Sequence, residues 1–529
     1  MKRSDMIRCL LSAAALVVLG LPAVRAAPPA RPNIVYILAD DLGIGDVSSY
    51  NADSAWKTPH IDRLAREGMR FTDAHSASGV CTPSRYALLT GRYSWRGRLK
   101  EGVVQGYDRS LIEAGRVTVP TFLRQHGYTT AMFGKWHLGL DWVRTGGEAD
   151  DVNFARAFGG GPLAHGFDRF FGISASLDMP PYVWLENDRA VQLPTGMVSD
   201  SPPPKLWRAG VTGPDFKFED VQPRLTDKTI AFVAERAAAQ DGKPFFLYLA
   251  LAGPHTPVVP TAEFEGKSGT TPYGDFVTQI DADVGRILAA LKQYGFEENT
   301  LVIFTSDNGF APPADLGALR RNGHDPSGGF RGFKSDLYEG GHRVPFILRW
   351  PAVASAGRVS SALLGQLDLF ATCAEILGEN QPAESAEDSL SFLPILRGEA
   401  STAARSSLVH HSSEGRFSIR EDRWKLLLWP GSGGWSAPTA TPSRWLKNDV
   451  ADLSALPPFQ LYDLDADPAE RNNVASAHPE VVQRLGRLMR TTIEAGRSVP
   501  GSSLAGQVDA DWPQTEWMKS FTPLEEVTR

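Results

Sequence analysis

Apolar runs of strand length recur along the chain at 33–39, 129–133, 245–251 and 301–305. Each is continuous rather than alternating, the pattern of parallel strands covered on both faces. Helical patterns lie between them at 59–67, 84–90, 225–238 and 276–294. Strand alternating with helix predicts an α/β fold with a large, mostly parallel central sheet flanked by helices. Beyond Leu377 the alternation fades. The segment 407–428 reads as hairpin strands, 460–464 as another strand and 478–496 as a helix. The expected division is an α/β domain over 31–384 and a smaller C-terminal α+β domain over 385–529. Pro- and Gly-rich loops at 201–204 and 431–442 are expected on the surface.

The N-terminus reads as a targeting segment. Lys2, Arg3 and Arg8 form a basic start, an apolar run continues to Leu21, and small residues follow from Ala23 to Ala27. This is the form of a secretory signal peptide over 1–26, cleaved after Ala26. The run is short for a spanning helix, and Cys9 lies too early to carry a lipid. A periplasmic or secreted protein with no membrane attachment after cleavage is expected.

Cleavage would remove Lys2, Arg3, Arg8 and Arg25 against Asp5 alone, moving the formal charge from -7 to -10. Such an acidic chain argues against nucleic acid as a partner, because phosphate contacts need a basic surface. An anionic substrate must then be met by a local cluster of cations. Cys81 and Cys373 are the cysteines beyond the leader, too few for a disulfide scaffold.

Polar groups stand just past the strand ends: Asp40-Asp41, Lys135-Trp136-His137, His255 and Asp307-Asn308. Ligands of open α/β sheets bind outside the carboxyl ends of the strands, so the four groups should converge on one edge. Asp40, Asp41, Asp307 and Asn308 supply hard oxygens suited to calcium or magnesium. Either pair alone could equally cap a helix or make a turn. Cys81 precedes Pro83 at the start of a helical stretch, which puts residue 81 at a helix N-terminus favourable to anions. It could be a buried structural cysteine or a thiolate nucleophile.

Cys81-Thr82-Pro83-Ser84-Arg85, followed by Leu89-Thr90-Gly91-Arg92, resembles the signature of the formylglycine-dependent sulfatases. Gly134-Lys135-Trp136-His137-Leu138-Gly139 resembles their second signature. Asp40-Asp41, Pro254-His255, Ser306-Asp307-Asn308-Gly309 and Arg331-Gly332-Phe333-Lys334 before Glu339-Gly340-Gly341 are similar to the remaining blocks, in family order. The resemblance spans roughly 31–350 and implies an alkaline-phosphatase-like fold. It implies that a maturation enzyme oxidises Cys81 to formylglycine (3-oxoalanine). It also implies one Ca2+ held by Asp40, Asp41, Asp307, Asn308 and an oxygen of residue 81. Arg85, Lys135, His137, His255 and Lys334 would complete the catalytic set, acting on a sulfated small molecule or glycan.

Further residues are assigned more loosely. Asp46, Arg92, Glu339 and His342 are expected to support the site or the fold. His324, in a Gly-rich loop before Lys334, is a candidate substrate contact or a loop-structuring residue, and Asp178 a candidate for hydroxyl recognition. Trp184 and Trp207 are expected near the pocket, where they would suit sugars. The alternatives are a phosphonate or phosphate ester hydrolase of the same superfamily and an inactive glycan-binding relative.

Overall fold

The computed structural model describes residues 31–402, 405–440, 442–443, 445–446, 450–504 and 512–521. The leader expected over 1–26 lies outside them.

The sheet begins with β1 (Asn33–Asp40), β2 (Met69–Phe71), β3 (Thr129–Lys135), β4 (Arg169–Ile173), β5 (Leu185–Glu186) and β6 (Arg189–Ala190), of which β1 and β3 are expected apolar runs. The sheet is completed by β7 (Phe245–Pro254), β8 (Thr300–Ser306), β9 (Phe346–Arg349) and β10 (Arg358–Ser360). Their order across the ten-stranded sheet is β10-β2-β9-β8-β1-β7-β3-β4-β5-β6. The centre, β8-β1-β7-β3-β4, is parallel throughout, while β9 and the β5-β6 ribbon are antiparallel. Ile34, Tyr36 and Leu38 of β1 enter one core and Val35, Ile37 and Ala39 the other. Burial on both faces is the physical reason these strands lack alternation.

Helices cover the two faces. Among them are α1 (Pro59–Glu67), α2 (Cys81–Thr90), α3 (Val221–Ala239), α4 (Pro272–Gln293) and α5 (Leu369–Leu377). The C-terminal part is an antiparallel four-stranded sheet of β11 (Ser407–His411), β12 (Phe417–Glu421), β13 (Trp424–Leu427) and β14 (Gln460–Asp463). α6 (Pro479–Glu494) packs on it through Val482, Leu485 and Met489. Arg96 fixes Asp388 with two guanidinium hydrogen bonds of 2.8 Å and donates to the carbonyl of Thr492 on α6. The expected surface loop over 431–442 is in part inside: Gly431 to Gly434 are buried. Ser432 accepts from Leu337 N–H at 2.8 Å, and Ser436 N–H donates to Asp336 at 3.0 Å. Its polar backbone is satisfied by the 335–337 segment, which is what lets a loop go under cover.

β3 approaches its neighbours closely just before Lys135. Gly134 has φ 120° and pairs with Ala250 on one side and Gly172 on the other. A Cβ on Gly134 would stand 1.7 Å from the carbonyl oxygen of Ala250. Gly134→Ala is therefore expected to cost about 3 kcal/mol, through strain and strand separation. A thermal melt checks it, and a wild-type melting temperature would mean β3 has room to move.

Candidate active site

Because β8, β1, β7 and β3 are parallel neighbours, their carboxyl ends open on one edge. Asp40 ends β1 with Asp41 after it, Lys135 ends β3, His255 follows β7, and Asp307 and Asn308 follow β8. The predicted convergence of four sequence-distant groups is what the chain does. Asp41 takes a left-handed turn, φ 62°, and its N–H donates to Asp307 Oδ1 at 3.2 Å. α2 starts at Cys81 itself, and Arg85 lies one turn further along the same face.

The charges are paired and buried. Lys135 Nζ donates to both oxygens of Asp40 at 2.9 and 2.7 Å and to Ser176 Oγ at 3.1 Å. Arg85 Nε and Nη2 hold Asp307 Oδ2 at 2.9 and 2.8 Å. Lys334 Nζ sits 2.8 Å from Asp41 Oδ2. Asp40 and Asp307 are fully buried, so burial pushes both carboxyls up. For Asp40 the neighbouring Lys135, His255 and Arg85 outweigh burial and hold it below its ordinary value. For Asp307 burial, reinforced by Asp40, prevails over Arg85 and the lysines. Three carboxylates and three cations cancel, so a bound divalent cation would leave the site positive and suited to an anion.

Asn308 donates from Nδ2 to Asp41 Oδ1 at 2.7 Å, while its buried Oδ1 has no hydrogen-bond partner among the described residues. An orphaned amide oxygen beside three carboxylates is the donor set of a hard cation. Oxygens of Asp40 and Asp41 and a ring nitrogen of His255 lie within 4.8 Å of one another.

The two histidines have fixed tautomers. His137 Nε2 meets only the carbonyl of Val104, at 2.8 Å, so it carries the hydrogen. Its buried Nδ1 is then a lone pair with no partner among the described residues. Burial, then Lys135 and Arg85, push its pKa well down, which keeps the ring neutral. Thr82 Oγ1 donates to the His137 carbonyl at 3.0 Å, tying the backbone of His137 to the residue after Cys81. His255 Nδ1 donates to the Thr256 carbonyl, leaving Nε2 3.2 Å from Ser176 Oγ and 3.4 Å from Asp41 Oδ2.

A cavity of about 250 Å3 opens beside Cys81, lined also by Asp41, His255, Lys334, Asp178, Arg208 and Trp435. Asp178 is thus at the cavity, as expected. His324 is not, and the substrate-contact reading is corrected: its side chain is fully buried. His324 Nδ1 accepts from Ala55 N–H at 3.3 Å, Nε2–H donates to Asp46 at 2.7 Å, and the ring lies on Trp56. Asp46 also accepts from Tyr273 at 2.6 Å and Gly43 N–H at 2.8 Å. This network braces the loop leaving Asp41. Arg92 pairs with Glu113 at 3.0 Å, and Glu339 with Arg343 and Lys425 at 2.7 and 2.9 Å. His342 meets His75 at 3.1 Å, so these groups serve the scaffold.

Trp184 is buried against Phe171 and Trp207 stacks on Phe218, and neither lines this cavity. The tryptophans that line it are Trp435 and Trp445, with Ser413, all from the C-terminal part. Nothing local in the sequence marks these, Ser176 or Arg208, because their place depends on how distant loops meet.

The Sulfatase family model matches residues 32–379. The chain belongs to the sulfatase family. It is 37% identical over 502 residues to N-acetylgalactosamine-6-O-sulfatase of Bacteroides thetaiotaomicron, covering 87% of this chain and 93% of that one. Human arylsulfatase A is 35% identical, covering 86% and 87%. A solved Bacteroides thetaiotaomicron structure, from work on the metabolism of multiple glycosaminoglycans, superposes with a TM-score of 0.76 at 36% identity. That likeness covers 88% of this sulfatase and 99% of the solved chain. This sulfatase is a hydrolase of sulfate esters.

Burial also bears on Cys81 before any modification. The residue is 2% exposed, and burial raises the thiol pKa despite Lys135 and Lys334. The thiol is therefore protonated at neutral pH and a poor nucleophile. In unmodified protein freed of metal with a chelator, iodoacetamide at pH 7 should label Cys81 far more slowly than in the urea-unfolded chain. Equal labelling, read by peptide mass, would show that the site is open and the thiolate accessible.

Proposed function

We propose that this sulfatase releases sulfate from sulfated carbohydrate outside the cytoplasm, with residue 81 oxidised to formylglycine and one bound Ca2+. The observation that carries the reading is the meeting of Cys81 with three buried carboxylates and the unpartnered Asn308 Oδ1. Asp40, Asp41, Asp307, Asn308 and an oxygen on residue 81 would hold the ion. When bound, Ca2+ supplies positive charge against the sulfate oxygens. Hydrated formylglycine supplies two hydroxyls, one to attack sulfur and one through which sulfate is later expelled.

The protein's own side chains do the rest. Arg85, Lys135 and Lys334 offset the charge that gathers on the sulfate, in a site where water does little to screen it. His255 and Lys334 face the cavity, and the Lys334 ammonium holds a proton that the departing alcohol can take. His137, neutral with a bare Nδ1, accepts the proton from the second hydroxyl of residue 81. Asp178, buried with Oδ1 unpartnered among the described residues, accepts a hydrogen from a hydroxyl or amide of the sugar.

The curated relative named for N-acetylgalactosamine 6-O-sulfate makes that sugar the first substrate to try. Export is supported by the leader-like residues 1–26. Among the described residues no helix is long and apolar enough to cross a membrane. The partner that export and chemistry demand is an enzyme that oxidises Cys81.

The matured enzyme should release sulfate from N-acetylgalactosamine 6-sulfate and leave the matching phosphate ester intact. Cys81→Ala should abolish release while circular dichroism stays native; sulfate from that variant would sink the mechanism. Removing a metal ligand is a second check. Asp307→Asn, chosen over Ala so that Arg85 keeps a partner, should weaken calcium binding about tenfold or more. Isothermal titration reads the affinity, and activity should fall with it. Unchanged calcium affinity would refute the ligand assignment.

A further inference from the structure

Three cations of the site are committed to carboxylates at its floor. A fourth, Arg208, lines the same cavity and has a different setting. Its side chain is 50% exposed, and Nη1 holds Asp178 Oδ2 at 3.0 Å. Nε and Nη2 make no hydrogen bond among the described residues. Those two nitrogens are the side-on fork of the guanidinium, whose parallel N–H groups match the two oxygens of a carboxylate or sulfate.

The fork stands on a fixed backbone. Arg208 N–H donates to the Asp178 carbonyl at 3.1 Å, and the Tyr182 hydroxyl donates to the Arg208 carbonyl at 2.7 Å. Trp207, next in the chain, stacks on Phe218 with centroids 4.4 Å apart. A half-exposed arginine on so well tied a segment loses little freedom on binding. Its partner is unusual too, since Asp178 is 4% exposed yet leaves Oδ1 unpartnered among the described residues. The pair thus offers, side by side, a buried acceptor and an outward anion fork.

Size sets where each would act. A cavity of about 250 Å3 lies at the small end for ligand sites, so it takes one sugar residue with its sulfate at the floor. The remainder of a glycan then leaves toward solvent, the side on which a lining residue as exposed as Arg208 can meet it. We infer that Asp178 and Arg208 form a second recognition site, Asp178 gripping the sulfated residue and Arg208 reading an anionic group on the adjoining sugar. That group is a uronate carboxylate or a second sulfate. The inference rests on the sulfated-carbohydrate reading and extends it to glycans with a charge on every residue.

The test uses full-length matured enzyme with calcium and four substrates. These are N-acetylgalactosamine 6-sulfate alone, the same sugar linked to a uronate, to that uronate's methyl ester, and to a sulfated neutral sugar. The uronate or the sulfated sugar should beat the methyl ester in kcat/KM by about tenfold, mainly through KM. Whichever wins identifies the anion. Arg208→Ala should bring the ratio close to one, and Arg208→Lys should restore only part, since lysine lacks the fork. Equal rates on all four with wild type, or a ratio that survives Arg208→Ala, would overturn the inference while leaving the sulfatase reading standing. No release from any of the four, with residue 81 verified as aldehyde by mass, would overturn both.

Discussion

Everything at this site depends on a buried balance of charge. Asp40, Asp41 and Asp307 lie against Arg85, Lys135 and Lys334 with almost no exposure to water. Removing one member would leave an uncompensated buried charge, a defect worth several kcal/mol. The balance also sets the chemistry. It is neutral on its own, so a bound divalent cation would tip it positive, and an anion would be met by an excess of charge that water cannot screen. An acidic protein can bind an anionic substrate because its buried cations are gathered at one edge of one sheet.

The sheet supplies the rigidity that this balance requires. Four adjacent parallel strands put four groups of polar residues at one edge. Close packing at Gly134 draws β3 against β7, so Lys135 reaches Asp40 across the strand between. The brace of Asp46, His324 and Tyr273 holds the loop after Asp41 from the other side. His324 is thus a structural element of the site rather than a part of its recognition surface. Its two ring nitrogens are both satisfied by the scaffold, which leaves none for a ligand.

The C-terminal part does more than complete the fold. Its four-stranded sheet is locked to the larger part by buried ion pairs such as Lys425 with Glu339. Its loops carry Ser413, Trp435 and Trp445 to the cavity wall. The chemistry therefore sits on the α/β sheet, while the shape of the cavity is shared between the two parts. Loops of this kind can change without disturbing the sheet edge, so the reaction and the shape of the cavity rest on separable parts of the fold.

The sequence by itself determined the parallel sheet, because strands buried on both faces must be continuously apolar. It also determined the floor of the site, because residues that follow adjacent parallel strands have one edge to occupy. The Cys81 motif and its companions identified the family from the residues alone. Tertiary structure decided the rest. It turned His324 inward onto Asp46, put Trp184 and Trp207 in other surroundings, and tucked 431–434 under cover. It brought Arg208, Ser413, Trp435 and Trp445 to the cavity. Periodicity reports which way a residue faces within its own strand or helix. Loop residues have no period, and their neighbours are chosen by contacts made hundreds of residues away.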